Sequence, residues 1–137
     1  MPMNIAFLVI GSVFVGIASL IHVVIFYFES VAWSKPVTWK RFGLKSQEDA
    51  DVVKPMALNQ GYYNAFLALA GILGLILLQV PGVQQAGLTL ALYATLSMVL
   101  AATVLITSNP KLARAAVTQG AAPLVAVIFL ALALFVS

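Results

Sequence analysis

Residues 5–28, 56–80, 86–106 and 117–136 contain no Asp, Glu, Lys or Arg, and apolar side chains fill most of each stretch. A helix of about twenty apolar residues covers the hydrocarbon core of a bilayer. The pattern therefore predicts an all-α integral membrane protein, one domain built as a four-transmembrane-helix bundle. Polar punctuation separates the spans. Val80-Pro81-Gly82 reads as a turn, and Thr107-Ser108-Asn109-Pro110-Lys111 stops the third span. Residues 30–55 form the one substantial connection. Within it, Pro36 ends the first helix or pushes Lys35 away from helical geometry. Ser46 followed by Asp49 resembles a capping box and predicts a short helix that begins near Gln47. Lys54-Pro55 then either breaks that helix or opens the second span with proline in its first turn.

The polar positions inside the apolar runs are few and ordered. In the first span Ser12, Ser19, His22 and Glu29 fall within an arc of ~100° on a helical wheel. Lipid offers polar groups no partners, so this stripe is expected to face the bundle interior. Ser12 and Gly16 form a small-xxx-small pair that lets a neighbouring helix come close.

Composition agrees with the pattern. The chain is 63% hydrophobic and 8% charged over 137 residues, against a charged fraction of about 25% in soluble domains. It has no cysteine, which removes disulfides, thiolate metal sites and cysteine nucleophiles. The opening Met-Pro-Met-Asn carries no positive charge, and the run behind it is too long for a signal-peptide core. That run reads as a retained span.

Charge placement adds an orientation. All seven Lys and Arg residues lie in the first and third connections. Cytoplasmic loops carry the excess of such residues, so both termini are expected outside and both charged loops in the cytoplasm. Trp33 and Trp39 open the first connection, where aromatic rings favour the headgroup level as anchors.

On that topology the polar residues of all four spans share the cytoplasmic half. Glu29 ends the first span and His22 lies seven positions deeper, roughly 10 Å on a helix. Asn59, Gln60, Tyr63 and Asn64 open the second span, Thr103, Thr107 and Asn109 close the third, and Gln119 begins the fourth. An ionisable pair in an apolar helix is a functional-site hypothesis. The expectation is a polar pocket sealed from outside and covered by the basic loop. Its ligand-binding set is His22, Glu29, Asn59, Gln60, Tyr63, Asn64 and Gln119, with His22 and Glu29 as acid/base candidates. Each has a plainer reading. His22 can donate to a backbone carbonyl, Glu29 can pair with Lys54, Lys111 or Arg114, and the amides can clamp helices. One histidine with one carboxylate falls short of the three or four ligands that zinc takes, so no metal is expected.

His22, Glu29, Trp33, Pro36, Phe42-Gly43-Leu44, Asn59-Gln60-Gly61-Tyr62-Tyr63-Asn64 and Leu67-Ala68 together resemble the uncharacterised bacterial family of domain of unknown function 1304. Gln119 and Pro123 match its ending, with three residues between them where the family pattern is shorter. The resemblance implies a small four-helix protein of the bacterial inner membrane. It implies no particular reaction.

Three functions compete. The first is a binder of, or an enzyme acting on, a small amphipathic or lipid-like molecule. The second is a proton-coupled transporter. Small multidrug exporters also have four spans and a membrane glutamate, but here the charge bias is complete and the glutamate lies at the membrane edge. The third is an accessory subunit of a larger membrane complex or homo-oligomer, whose polar residues only pack helices. Partners are expected among membrane lipids and amphipathic ligands. No phosphate-cradling glycine loop and no nucleophile–base–orienter set is present, so neither nucleic acid nor a cofactor is expected.

Overall fold

The computed structural model describes residues 3–136. The expectations placed on Met1, Pro2 and Ser137 lie outside the described residues. Helix α1 (Ile5–Phe26) continues into a π turn over Tyr27–Val31. A one-turn α2 (Pro36–Trp39) follows, then α3 (Gln47–Leu78), α4 (Gln84–Ser108) and α5 (Ala113–Phe135). The four long helical segments are long and apolar enough to cross a membrane.

Local chemistry sets the helix starts. Asn4 Oδ1 accepts from the Phe7 N–H at 3.3 Å, and Ser46 Oγ accepts from the Asp49 N–H at 3.0 Å. Each satisfies one of the donors that a first helical turn leaves free. The expected short helix at Gln47 and the second span are one continuous helix that passes through Pro55. Proline removes the donor to the carbonyl four residues back and crowds that carbonyl, and the residue concerned, Asp51, sits at an exposed position. At 32 residues, α3 is about 48 Å long, whereas the hydrocarbon core is about 30 Å thick. Its first turns, with Glu48, Asp49 and Asp51, therefore stand beyond the apolar layer.

The long helices form a ring in the order α1, α3, α4, α5. Each packs on its two neighbours, and α1 and α4 touch only lightly across the diagonal. Neighbours run antiparallel: the Asn4 N–H at the start of α1 donates to the Ala133 carbonyl near the end of α5 at 3.0 Å. Both charged connections thus lie at the same end of the bundle.

Small residues make up most of the inside, joined by Val15, Met98 and Leu130, and many large apolar side chains face outward. Ala18, Ala68, Ala91, Ala94, Ala126 and Ala133 are buried, while Leu20, Phe66, Leu69, Tyr93 and Val104 are exposed. Between apolar helices in lipid there is no hydrophobic gain from association, so close van der Waals packing must hold them. The α3–α4 crossing shows how close. A Cβ on Gly74 would stand 2.7 Å from the Ala91 nitrogen, and one on Gly87 would stand 2.8 Å from the Gly74 carbonyl oxygen.

At the charged end the first connection folds into a small cap with its own core. Trp33, at 5% exposure, and Trp39, at 4%, are buried against Ala50 and Ala57 of α3, with Phe42, Leu44 and Val53 around them. Trp33 Nε1–H donates to the Ala50 carbonyl at 2.9 Å and Trp39 Nε1–H to Gln47 Oε1 at 3.2 Å. The expected headgroup anchors are instead core residues. A buried indole finds a hydrogen-bond partner within the protein, and the extended start of α3 supplies both.

Candidate functional site

The junction of α1 with the cap departs from regular helix. Over Tyr27–Val31 the chain makes a π turn, closed by the Ala32 N–H on the Tyr27 carbonyl at 2.9 Å. Such turns insert one extra residue and often mark functional sites. Here the widened turn lays Glu29 and Ser30 against α3. Glu29 is 8% exposed, and its Oε2 accepts from Asn64 Nδ2 at 2.8 Å. Ser30 Oγ donates to the Leu58 carbonyl at 3.3 Å. Gly61 lies directly opposite. A Cβ there would collide with Ser30 Oγ and come within 3.1 Å of Glu29 Cβ, so the two helices meet at this level only because residue 61 has no side chain.

The amide nitrogen of Asn64 is fully committed at this contact. It donates to Glu29 and also to the Gln60 carbonyl at 3.1 Å, which accounts for both amide hydrogens. Glu29 is held by an amide of α3 and not by Lys54, Lys111 or Arg114. Beside it an open cleft of about 240 Å³ runs between the π turn and α3, lined by Glu29, Trp33, Val53, Met56, Ala57 and Gln60.

The other expected site residues fall elsewhere. His22 is buried, and its Nδ1–H donates to the Ala18 carbonyl of its own helix at 2.9 Å. It does not line the cleft. Asn59 and Tyr63 are exposed, Tyr63 at 55%. Gln60 borders the cleft from an exposed position, and Gln119 is half-buried on α5, a helix that does not pack on α3. Thr103 and Thr107 are exposed and donate to carbonyls of their own helix, Val99 at 2.9 Å and Thr103 at 2.8 Å. Asn109 caps the turn after α4 by accepting from the Lys111 N–H at 3.3 Å.

The expected convergence of four polar helix ends into one enclosed pocket is therefore corrected. Two helices meet around Glu29 and Asn64. His22, Thr103, Thr107 and Asn109 bond within their own segments, and the buried Ser19 hydroxyl has no hydrogen-bond partner among the described residues. Among the described residues no three His, Asp or Glu side chains gather into a group that could hold a metal ion.

Sequence reasoning missed Trp33, Val53, Met56 and Ala57 as lining and Ser30 as a cross-helix donor. One signal pointed to the inward face of α3. Ala57, Gly61, Asn64, Ala68, Gly71 and Gly74 recur every three or four residues, the spacing by which small residues mark a packed helix face. Asn64 is in step with them, and Asn59 and Tyr63 are not.

Four long apolar helices around a core of small residues, with both charged connections at one end, define a small polytopic membrane protein. Residues 16–131 match the family described as Protein of unknown function (DUF1304), and the chain belongs to that family. No curated protein and no solved structure matches it.

Proposed function

We propose that the protein binds a small amphipathic, lipid-like molecule at the cleft beside Glu29. The polar end of the ligand sits at the carboxyl group, and its apolar part follows Trp33, Val53, Met56 and Ala57. One observation carries the reading: a nearly buried carboxyl group, fixed in place by Asn64, borders an open cleft whose other walls are mostly apolar. Polar groups at membrane depth are expensive and are kept where they pair or work. The pairing with Asn64 uses one carboxyl oxygen and leaves acceptor capacity at the cleft.

The charge bias of the two connections supports placing this end of the bundle, with the cleft, at the cytoplasmic face of a bacterial inner membrane. Ligand would then enter from the cytoplasm or laterally from the inner leaflet. With His22 turned onto its own helix, an acid/base pair with Glu29 has no support, so the proposal is binding rather than turnover.

Gly61 and the Glu29–Asn64 bond also favour a second reading, in which the contact only clamps α1 to α3 within a membrane complex. Mass spectrometry of molecules that co-purify with wild type and with Glu29→Gln separates the two. On the binding reading, a small amphipathic species accompanies the wild type near stoichiometry and is depleted from the variant. Identical bulk lipid in both samples would leave only the clamp.

A further inference from the structure

We infer that the headgroup bound at Glu29 is a protonated amine carried on an apolar chain; this rests on the binding reading above. The chemistry of the lining selects it. Asn64 has both amide hydrogens engaged, by Glu29 and by the Gln60 carbonyl, and offers a ligand no donor. The Trp33 N–H is engaged by the Ala50 carbonyl, so its indole offers the cleft no donor. Met56 contributes a thioether, a weak acceptor, and Val53 and Ala57 contribute hydrocarbon. Gln60 alone brings a side-chain donor, and no lysine or arginine lines the cleft.

The cleft is therefore rich in acceptors and poor in donors, and its one ionisable side chain, Glu29, has no basic partner in the lining. A carboxylate or phosphate headgroup would bring further acceptors and would find no basic side chain in the lining. A hydroxyl would satisfy only one of the open acceptor positions. An ammonium group supplies several donors and a positive charge that favours the ionised carboxylate, and it can also pack on the Trp33 ring. The apolar walls then take its chain.

Photoactivatable dodecyl probes that end in an ammonium, a hydroxyl or a carboxylate group test this. They are applied to the full chain in nanodiscs of neutral lipid, and labelled peptides are read by mass spectrometry. Labelling of residues 53–60 is normalised to the open groove around Leu90 and Tyr93, which reports simple partition into the bilayer. The ammonium probe should exceed the other two at the cleft by about tenfold, in line with a charge-assisted contact in a partly desolvated site. Glu29→Gln should abolish the excess. Met56→Lys, at a position already exposed, should also abolish it by offering Glu29 an internal cation, which guards against a folding defect in the first variant. A phosphatidylethanolamine probe with the same Glu29 dependence would identify a membrane lipid as the source of the amine, and its failure beside a positive dodecylammonium signal would identify a free amphipathic amine. Equal cleft labelling by all three dodecyl heads would overturn the amine assignment and leave the binding site standing. No enrichment by any probe over the reference groove would overturn both.

Discussion

Asn64 of α3 holds Glu29 of the π turn by a 2.8 Å hydrogen bond that joins residues 35 positions apart. Around that bond the π turn, Gly61 and the cap are arranged so that a carboxyl group lies beside an open cleft while being 8% exposed. Together with the Ser30–Leu58 bond, the Glu29–Asn64 bond ties the first helix to α3 at the charged end of the bundle. Its energetic weight can be measured.

A double-mutant cycle of Glu29→Ala and Asn64→Ala, read by thermal unfolding in detergent, should give a coupling of roughly 0.5–2 kcal/mol, the span seen for interhelical hydrogen bonds in membranes. Each single variant should lose about 1–3 kcal/mol, because the partner is left buried without its bond. Additive effects would mean that the two side chains do not interact.

Gly61→Ala should destabilise the protein by about 1–3 kcal/mol, since the added carbon must push against Ser30, Glu29 and the Phe26 carbonyl. Gly16→Ala is the matched control. Its new Cβ would have one neighbour, Leu75 Cδ1 at 3.9 Å, so unfolding should be unchanged or shifted slightly upward. If both substitutions behave alike, the close approach of α1 and α3 at residue 61 is wrong.

How much of this could be read from residues alone follows from which forces are local. The apolar runs and the Ser46–Asp49 cap depend on neighbours in sequence, and both were legible. The level of Glu29 against Asn64 was legible too, because one connection joins antiparallel helices at matching depths. The rotation of α3 was harder, since each apolar face of a buried helix looks alike. Only the step of small residues through Ala57, Gly61, Asn64 and Ala68 distinguishes the packed side. The π turn leaves no pattern in Tyr27–Val31, because it results from the fit of α1 against α3 and the cap. Trp33 and Trp39 misled for a related reason: their composition fits a headgroup belt, and only the extension of α3 back to Gln47 supplies a core for them.

That core makes an optical prediction. Because Trp33 and Trp39 are buried and both indole N–H groups are bonded, iodide and headgroup-attached quenchers should reduce tryptophan emission only weakly in the folded protein. Strong quenching should appear once the protein is unfolded. Strong headgroup quenching of the folded protein would return the tryptophans to the membrane interface.

Orientation can be probed with single cysteines, because the chain has none of its own. Glu48 and Gln85 are both exposed and lie at opposite ends of the bundle. In intact cells an impermeant thiol reagent should label Gln85→Cys directly and Glu48→Cys only after permeabilisation, as the Lys and Arg bias requires. Labelling of Glu48→Cys from outside would invert the topology, and equal labelling of both would indicate dual insertion.

Binding at Glu29 is tested most directly by an experimental structure of the protein extracted in polymer nanodiscs without detergent. Elongated non-protein density should run along Trp33, Val53 and Met56, with its polar end within hydrogen-bonding distance of the Glu29 carboxyl group. A cleft closed by the protein's own side chains, or a Glu29 turned away into water with Asn64 unpaired, would contradict the account.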